Sequence, residues 1–347
     1  MDEHVADAIG RPDAVRVEED LVCLRFETMK VVSALAAVRH LLDRGTVRPG
    51  DTLLDSSSGI YAYALALACH RYGLRCHIVG STTVDHTLRT QLAVLGVRLE
   101  QMEPSSDLKL DQSRRVARVR EILAANPTGY HWMRQYHDDI HYLGYREIAA
   151  FVEREMDTTA LTVVGGVGSG ASTGALAGFL RARSPGVHLV GVQPFGSVTF
   201  GSAHVADPEI IIAGIGSSIP FGNVRHRAYD RVHWTAFDVA LAGSVRLLRE
   251  HAVFAGLSTG AAYAVAAWER RVSPHRPVLF IAPDTGHRYV DSVFARHREA
   301  AALDELAPIE VTSLDKLELP WCWTRWDGSE APAGGAVEHD PVAAGLV

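Results

Sequence analysis

Lysine is almost missing from this chain. Of 34 basic residues only Lys30, Lys109 and Lys316 are lysines, so a lysine that persists in an apolar setting asks for a chemical reason. Cysteine is scarce as well. Cys23, Cys69, Cys76 and Cys322 show neither C-x-x-C spacing nor the density of a disulfide scaffold; they read as buried thiols, and no metal site is expected. No stretch reaches the roughly 18 to 20 uninterrupted apolar residues of a membrane span, and Met1-Asp2-Glu3 does not open a basic and then apolar leader, so the expected location is the cytoplasm, with no membrane partner. A long basic run is also absent. With 41 acidic residues against 34 basic ones the net charge is −7, which excludes nucleic acid as an expected partner.

Lys109 and Lys316 sit in the polar stretches Ser105-Ser106-Asp107-Leu108-Lys109 and Ser313-Leu314-Asp315-Lys316, which read as solvated surface. Lys30 is different. It opens the run Val31-Val32-Ser33-Ala34-Leu35-Ala36-Ala37-Val38, apolar on nearly every face of a helix over 29–44 that Gly45 and then Pro49-Gly50 end. From there short apolar strands alternate with helices: strands at 52–55, 75–79 and 97–101 and helices at 60–73, 85–95 and 112–125. A second series has strands at 160–164, 187–192 and 277–282 and helices at 173–183, 238–251 and 259–271. Strand, helix, strand at this spacing predicts an α/β protein of two lobes, each a mostly parallel twisted sheet covered by helices. The smaller lobe is expected over 26–150, the larger over 1–25 and 151–330, and a loose tail over 331–347. The polar, aromatic segment 127–147 is expected between the lobes.

Three turns carry chemistry. Val163-Val164-Gly165-Gly166-Val167-Gly168-Ser169-Gly170-Ala171-Ser172-Thr173-Gly174 runs from a strand through small residues into a helix; its amides, with the Ser172 and Thr173 hydroxyls, form a phosphate cradle. It lacks the Gly-Lys-Ser/Thr ending of a P-loop, and no acidic residue sits about 20 positions on as a dinucleotide site requires. A plain glycine-rich turn remains the alternative for this segment alone. Asp55-Ser56-Ser57-Ser58-Gly59-Ile60-Tyr61 offers hydroxyls and amides at a second helix start, a seat for a carboxylate or an ordinary cap cluster. Ala255-Gly256-Leu257-Ser258-Thr259-Gly260-Ala261 marks a third helix start.

In that order, the lysine, the serine-rich loop, the glycine-rich loop and the Gly-Leu-Ser-Thr-Gly-Ala turn resemble the fold type II enzymes that use pyridoxal phosphate (PLP), the group of cysteine synthase, or O-acetylserine sulfhydrylase, and the tryptophan synthase β subunit. Gly191-Val192-Gln193-Pro194, Gly214-Ile215-Gly216 and Asp284-Thr285-Gly286-His287-Arg288-Tyr289 look like three further segments of that family. The resemblance covers roughly residues 20–295. It implies that Lys30 carries the cofactor, with its pKa lowered by burial and the helix dipole. It implies that Gly168, Ser169, Gly170, Ala171 and Ser172 hold the phosphate, that Ser258 bonds the pyridine nitrogen, and that Ser57, Ser58, Gly59, Tyr61 and Gln135 bind a small amino-acid substrate. Two segments depart from the family pattern. Phe26-Glu27-Thr28-Met29 precedes the lysine where Asn-Pro-x-Gly-Ser is usual, and Ile60 replaces the asparagine of the serine-rich loop.

The activity implied is β-elimination and replacement on serine or an O-activated serine by way of an aminoacrylate, with a small nucleophile as second substrate and a homodimer as the assembly. The stretch Gly196-Ser197-Val198-Thr199-Phe200-Gly201 resembles the branch that makes diaminopropionate precursors. A lyase or dehydratase releasing a keto acid and ammonia is the alternative within PLP chemistry. A silent PLP-binding paralogue and a nucleotide-binding protein are the alternatives outside it.

Overall fold

Runs of β-branched and small residues alternate with Ala/Leu-rich runs, and the first become strands, the second helices. The computed structural model describes residues 1–57, 59–81, 84–103, 108–209 and 214–328, with backbone alone at 108–110; the tail expected at 331–347 and Ser58 lie outside them. A short helix α1 (Val5–Ile9) leads into the hairpin β1 (Asp13–Glu18) and β2 (Leu21–Arg25), and then α2 (Lys30–Asp43). Next come β3 (Thr52–Ser57), α3 (Ile60–Tyr72), β4 (Arg75–Gly80), α4 (His86–Val94), β5 (Arg98–Gln101), α5 (Leu108–Ala125) and β6 (Tyr130–Trp132). The second half runs α6 (Tyr145–Glu155), β7 (Thr162–Gly166), α7 (Ala171–Arg181), β8 (His188–Pro194) and β9 (Arg231–Thr235). It ends with α8 (Phe237–His251), α9 (Leu257–Val272), β10 (Val278–Ala282), β11 (Ile309–Glu310) and β12 (Trp321–Arg325).

Two sheets result. One has four parallel strands in the order β5-β4-β3-β6, the other eight in the order β1-β2-β10-β7-β8-β9-β12-β11. In the larger sheet β2, β10, β7, β8 and β9 are mutually parallel, and antiparallel pairing enters at β1 and β12. Parallel strands need cover on both faces, and their residues alternate between the two layers. In β7 Val163 packs under α6 and α7 with Ile148 and Leu176, while its neighbour Val164 packs under α8 and α9 with Val239 and Val265.

The smaller sheet packs its own core of Leu53, Leu65, Ile78 and Leu92, and α2 lies between the two cores, sending Val31 into the smaller and Val32 into the larger. Backbone hydrogen bonds from Phe26 N to Ala282 O (2.9 Å) and from Met29 N to Pro283 O (2.8 Å) tie the start of α2 to the end of β10.

The elements expected from sequence are present with shifted ends. The strand expected at 52–55 runs on to Ser57, and α5 starts at Leu108 rather than 112. Strands β1, β2, β6, β9, β11 and β12 and helix α6 are not among the elements expected; β1, β9 and β12 interrupt their apolar residues with Arg, His or Trp, and β6 and β11 are only three and two residues long. Helix α1, grouped with the larger lobe by sequence, packs Ala6 and Ile9 into the smaller core. All four cysteines are free and buried, and among the described residues no helix is long and apolar enough to cross a membrane.

Helices α8 and α9 cross at glycines. A Cβ on Gly243 would stand 2.0 Å from the Gly260 carbonyl oxygen, backbone that cannot step aside. Gly243→Ala is therefore expected to cost roughly 3 kcal/mol, as overpacking does. Gly178→Ala, at an exposed position of α7 with nothing within 4 Å, is expected to be neutral or to stabilise by up to about 1 kcal/mol. Urea unfolding of both variants checks this, and equal stabilities would contradict the close crossing.

Candidate active site

In parallel sheets ligands bind beyond the carboxyl ends of the strands. Here the ends of β3, β7 and β10 converge from both sheets on a cavity of about 310 Å³. Lys30, first residue of α2, reaches into it, and its Nζ donates to Ser169 Oγ at 3.3 Å. Burial lowers the lysine pKa to about 8, although the charge of Asp55 pulls the other way.

Asp55, which opens the serine-rich segment and has no role in the sequence reading, is the one carboxylate of β3. It is buried and accepts from the amides of Ser56 (2.8 Å) and Gln135 (3.0 Å) and from Trp132 Nε1 (3.0 Å). Burial outweighs these bonds and raises its pKa to about 6.

At the end of β7 the chain turns through Gly170, whose φ of +79° is left-handed and whose Cβ would stand 2.6 Å from Asn223 O. Helix α7 then begins with no side-chain cap, leaving its first N–H groups for a ligand. Gly168, Ser169 and Ser172 line the cavity, while Gly170 and Ala171 shape the turn without forming its wall. Thr173, expected to add its hydroxyl to the cradle, does not: its Oγ1 pairs with Tyr229 OH at 2.7 Å in the core.

On the opposite wall stand Ser57, Gly59, Ile60 and Tyr61. Ser57 Oγ accepts from the amides of Gly59 and Ala62, both at 3.1 Å, and so caps α3. Tyr61 OH is buried with no partner among the described residues, its ring edge-on to His141 at 5.7 Å. Gln135 lies off the cavity wall. Its Nε2 donates to Ser56 O at 2.7 Å, so the side chain expected at a substrate braces β3 instead.

Ser258 lines the cavity as the second residue of α9, which starts at Leu257 rather than at 259, and its hydroxyl bonds no described residue. Several lining residues were not singled out by sequence reasoning. Tyr136 and Phe221 stack at 4.0 Å, one from each half of the chain. Gln112 Oε1 on α5 accepts from Ser218 N at 3.2 Å, joining α5 to the segment that follows Gly214-Ile215-Gly216. Asp284 and Arg288 come from the turn after β10, visible in the sequence only as a family-like segment. Asp284 accepts from Tyr289 OH at 3.1 Å, its other oxygen is buried without a partner among the described residues, and burial raises its pKa to about 6.

A lone amine made partly neutral by burial, an uncapped helix start beside it, and an unengaged hydroxyl on the same cavity fit PLP: one group for its carbonyl, one for its phosphate and one for its ring.

The comparisons agree with this geometry. A family model described as pyridoxal-phosphate dependent enzyme matches residues 21–284. N-(2-amino-2-carboxyethyl)-L-glutamate synthase of Ralstonia nicotianae is 32% identical over 301 residues, which is 80% of this chain and 86% of that protein. Cysteine synthase of Haemophilus influenzae is 28% identical over 260 residues, 72% of this chain and 80% of its own. Among solved structures, O-ureido-L-serine synthase matches with a TM-score of 0.73 at 23% identity, over 84% of this chain and 94% of that one. An O-acetylserine dependent cystathionine beta-synthase from Helicobacter pylori matches with 0.75 at 20% identity, over 84% and 98%. By the span of the family match and by its fold, this chain belongs to the pyridoxal-phosphate dependent enzymes, in their cysteine-synthase-like fold type II group, with pyridoxal phosphate as cofactor.

Proposed function

We propose that this enzyme catalyses β-replacement on serine or an O-activated serine, a transferase reaction of the cysteine synthase type that yields a diaminopropionate precursor or another specialised amino acid. The observation that carries the reading is Lys30 Nζ, its pKa lowered by burial to about 8, inside a cavity that an uncapped helix also faces. The Ralstonia relative supports it, since its name describes an aminocarboxyethyl group joined to the nitrogen of glutamate.

When bound, PLP supplies an electron sink for charge that develops at the substrate's α-carbon. Lys30 would anchor it, the amides of the turn from Gly168 to Ser172 would take its phosphate, and Ser258 would bond its ring nitrogen. The amide of Tyr61 receives the substrate carboxylate, with Ser57 fixing the loop by accepting from the amides of Gly59 and Ala62 and Gln135 fixing it through Ser56. Lys30 Nζ removes the α-proton as general base. The β-substituent leaves with its bonding pair, the nucleophile bonds to the β-carbon and gives up a proton, and Lys30 returns a proton to the α-carbon. The stacked rings of Tyr136 and Phe221 help keep water from the cavity. We take the smaller lobe as built on the sheet β5-β4-β3-β6 together with α1, the larger as built on the eight-stranded sheet, and a cytoplasmic homodimer as the working form, on family resemblance.

The test is direct. With O-acetyl- or O-phospho-L-serine and an amine or hydrosulfide, the holoenzyme should release acetate or phosphate and form one new β-substituted amino acid per leaving group. Ammonia and keto acid in equal amount to the leaving group would make it a lyase instead.

Ser258 gives a sharper check. Because Ser258 lies inside α9 and Gly256 holds the cap position, Ser258→Ala should leave Tm nearly unchanged and retain the cofactor. Its turnover should fall roughly five- to tenfold, for a lost hydrogen bond worth about 1 kcal/mol. Lower Tm with unchanged turnover would reduce Ser258 to a structural residue.

A further inference from the structure

Where the two halves of the chain meet on the cavity wall, α5 makes its contact through one side chain. Among the described residues of α5, Gln112 is the one whose side chain bonds the second half, and it lines the cavity with Tyr136, Gly216 and Phe221. Gln112 Oε1 accepts from Ser218 N at 3.2 Å and from Ser218 Oγ at 2.5 Å. Ser217 Oγ also stands 3.3 Å from it, but its single proton goes to Ile219 O at 2.6 Å. Both lone pairs of the amide oxygen are thus taken by Ser218.

The segment that Gln112 grips is fixed to the turn that begins at Gly168. Ser217 N donates to Ser197 Oγ at 3.0 Å, Ser197 Oγ donates to Gln193 Oε1 at 3.0 Å, and Gln193 Nε2 donates to Val167 O, next to Gly168. Gly216 N donates to the same carbonyl at 2.8 Å. Gln193, Ser197 and Ser217 are all buried, so this relay cannot trade its partners for water. The other end of the segment is tied to the first half by Asn223, whose N donates to Tyr136 O at 2.9 Å and whose Nδ2 donates to Gln135 O at 3.0 Å. One end is therefore held to main-chain carbonyls, the other by a single amide side chain on the cavity wall. The position of α5 against the phosphate turn hangs on that amide.

We infer that Gln112 is a positioning residue: its bond to Ser218 keeps α5 against the cavity and thereby decides whether the eliminated substrate is captured by the nucleophile or lost to water. This rests on the β-replacement reading above. Elimination removes the α-proton and the β-substituent, which leaves with its bonding pair. In replacement the nucleophile bonds to the β-carbon, its proton is released, and a proton returns to the α-carbon. An unsaturated amino acid that escapes instead takes up one water and becomes a keto acid and ammonia, a balance that needs no oxidant. With α5 in place the unsaturated species stays on the enzyme for the nucleophile; with α5 loose it is released.

The experiment compares the wild type with Gln112→Ala and Gln112→Glu in two ways. Amide hydrogen exchange needs no turnover: the Ser218 amide should exchange roughly five- to tenfold faster in Gln112→Ala, the scale of one lost hydrogen bond. The amides of Gly216 and Ser217, whose acceptors Val167 and Ser197 are untouched, should keep their wild-type rates. In turnover of the holoenzyme with O-acetyl-L-serine, and L-glutamate or hydrosulfide as nucleophile probe, the ratio of β-substituted amino acid to pyruvate should fall by a similar factor in Gln112→Ala. Gln112→Glu keeps an oxygen to accept from Ser218 and loses the amide N–H groups, so it should keep both the slow exchange and the high ratio. Three results would overturn the inference. They are unchanged Ser218 exchange in Gln112→Ala; faster exchange with an unchanged ratio, which would make the contact a purely structural tie; and a Gln112→Glu that fails as alanine does, which would move the role to the amide N–H groups. Pyruvate and ammonia alone from the wild type, by contrast, count against β-replacement, and the grip on Ser218 is then judged by its exchange result.

Discussion

Everything at the centre of this molecule depends on placing one lysine amine where water is scarce. The start of α2 is bonded to the end of β10, its helix is packed between two cores, and Lys30 therefore reaches the cavity from a fixed base. The placement has a thermodynamic cost. A lysine whose pKa falls from 10.5 to about 8 on folding destabilises the cofactor-free fold by about 3 kcal/mol below pH 8. As pH rises from about 8 towards 10.5 the unfolded chain holds the proton that the fold has lost, so stability from this group increases. Lys30 thus trades stability for reactivity.

The two buried carboxyls show the opposite sign. Asp55 and Asp284 are both raised to about 6, so each favours the fold most below the ordinary carboxylate pKa and loses that contribution as pH rises through 6. Each is tolerated because it organises an edge of the site. Asp55 gathers Ser56, Trp132 and Gln135 at the end of β3, and Asp284 anchors Tyr289 in the turn that presents Arg288. The walls are set by helix starts and carboxyls from both sheets, so the cavity exists only when the two halves are docked.

Much of this was legible in the sequence, and for physical reasons. Lysine scarcity singled out Lys30, glycines and small residues marked the helix starts at α7 and α9, and apolar runs placed six of the twelve strands among the described residues. What escaped was long-range. Gln135 looks like a substrate ligand in the chain, but only folding reveals that Ser56 takes its side chain. Thr173 sits in a phosphate-loop pattern, yet Tyr229, 56 residues on, claims its hydroxyl. Asp55 reads as the end of an apolar strand, and nothing local says that it will be buried near a lysine 25 positions earlier. The β9 and β12 strands were missed because their Trp and His residues serve a buried network, in which Trp321 Nε1 donates to His233 and His233 faces Glu269, rather than an alternating pattern.

The most direct measurement of the account is reductive trapping of the cofactor. Holoenzyme treated with borohydride, digested and mapped by mass spectrometry should carry the phosphopyridoxyl group on Lys30 alone, and cofactor-free protein should take up PLP faster as pH rises through about 8. Label on Lys109 or Lys316, or uptake that accelerates only near the pKa of an ordinary lysine, would contradict it.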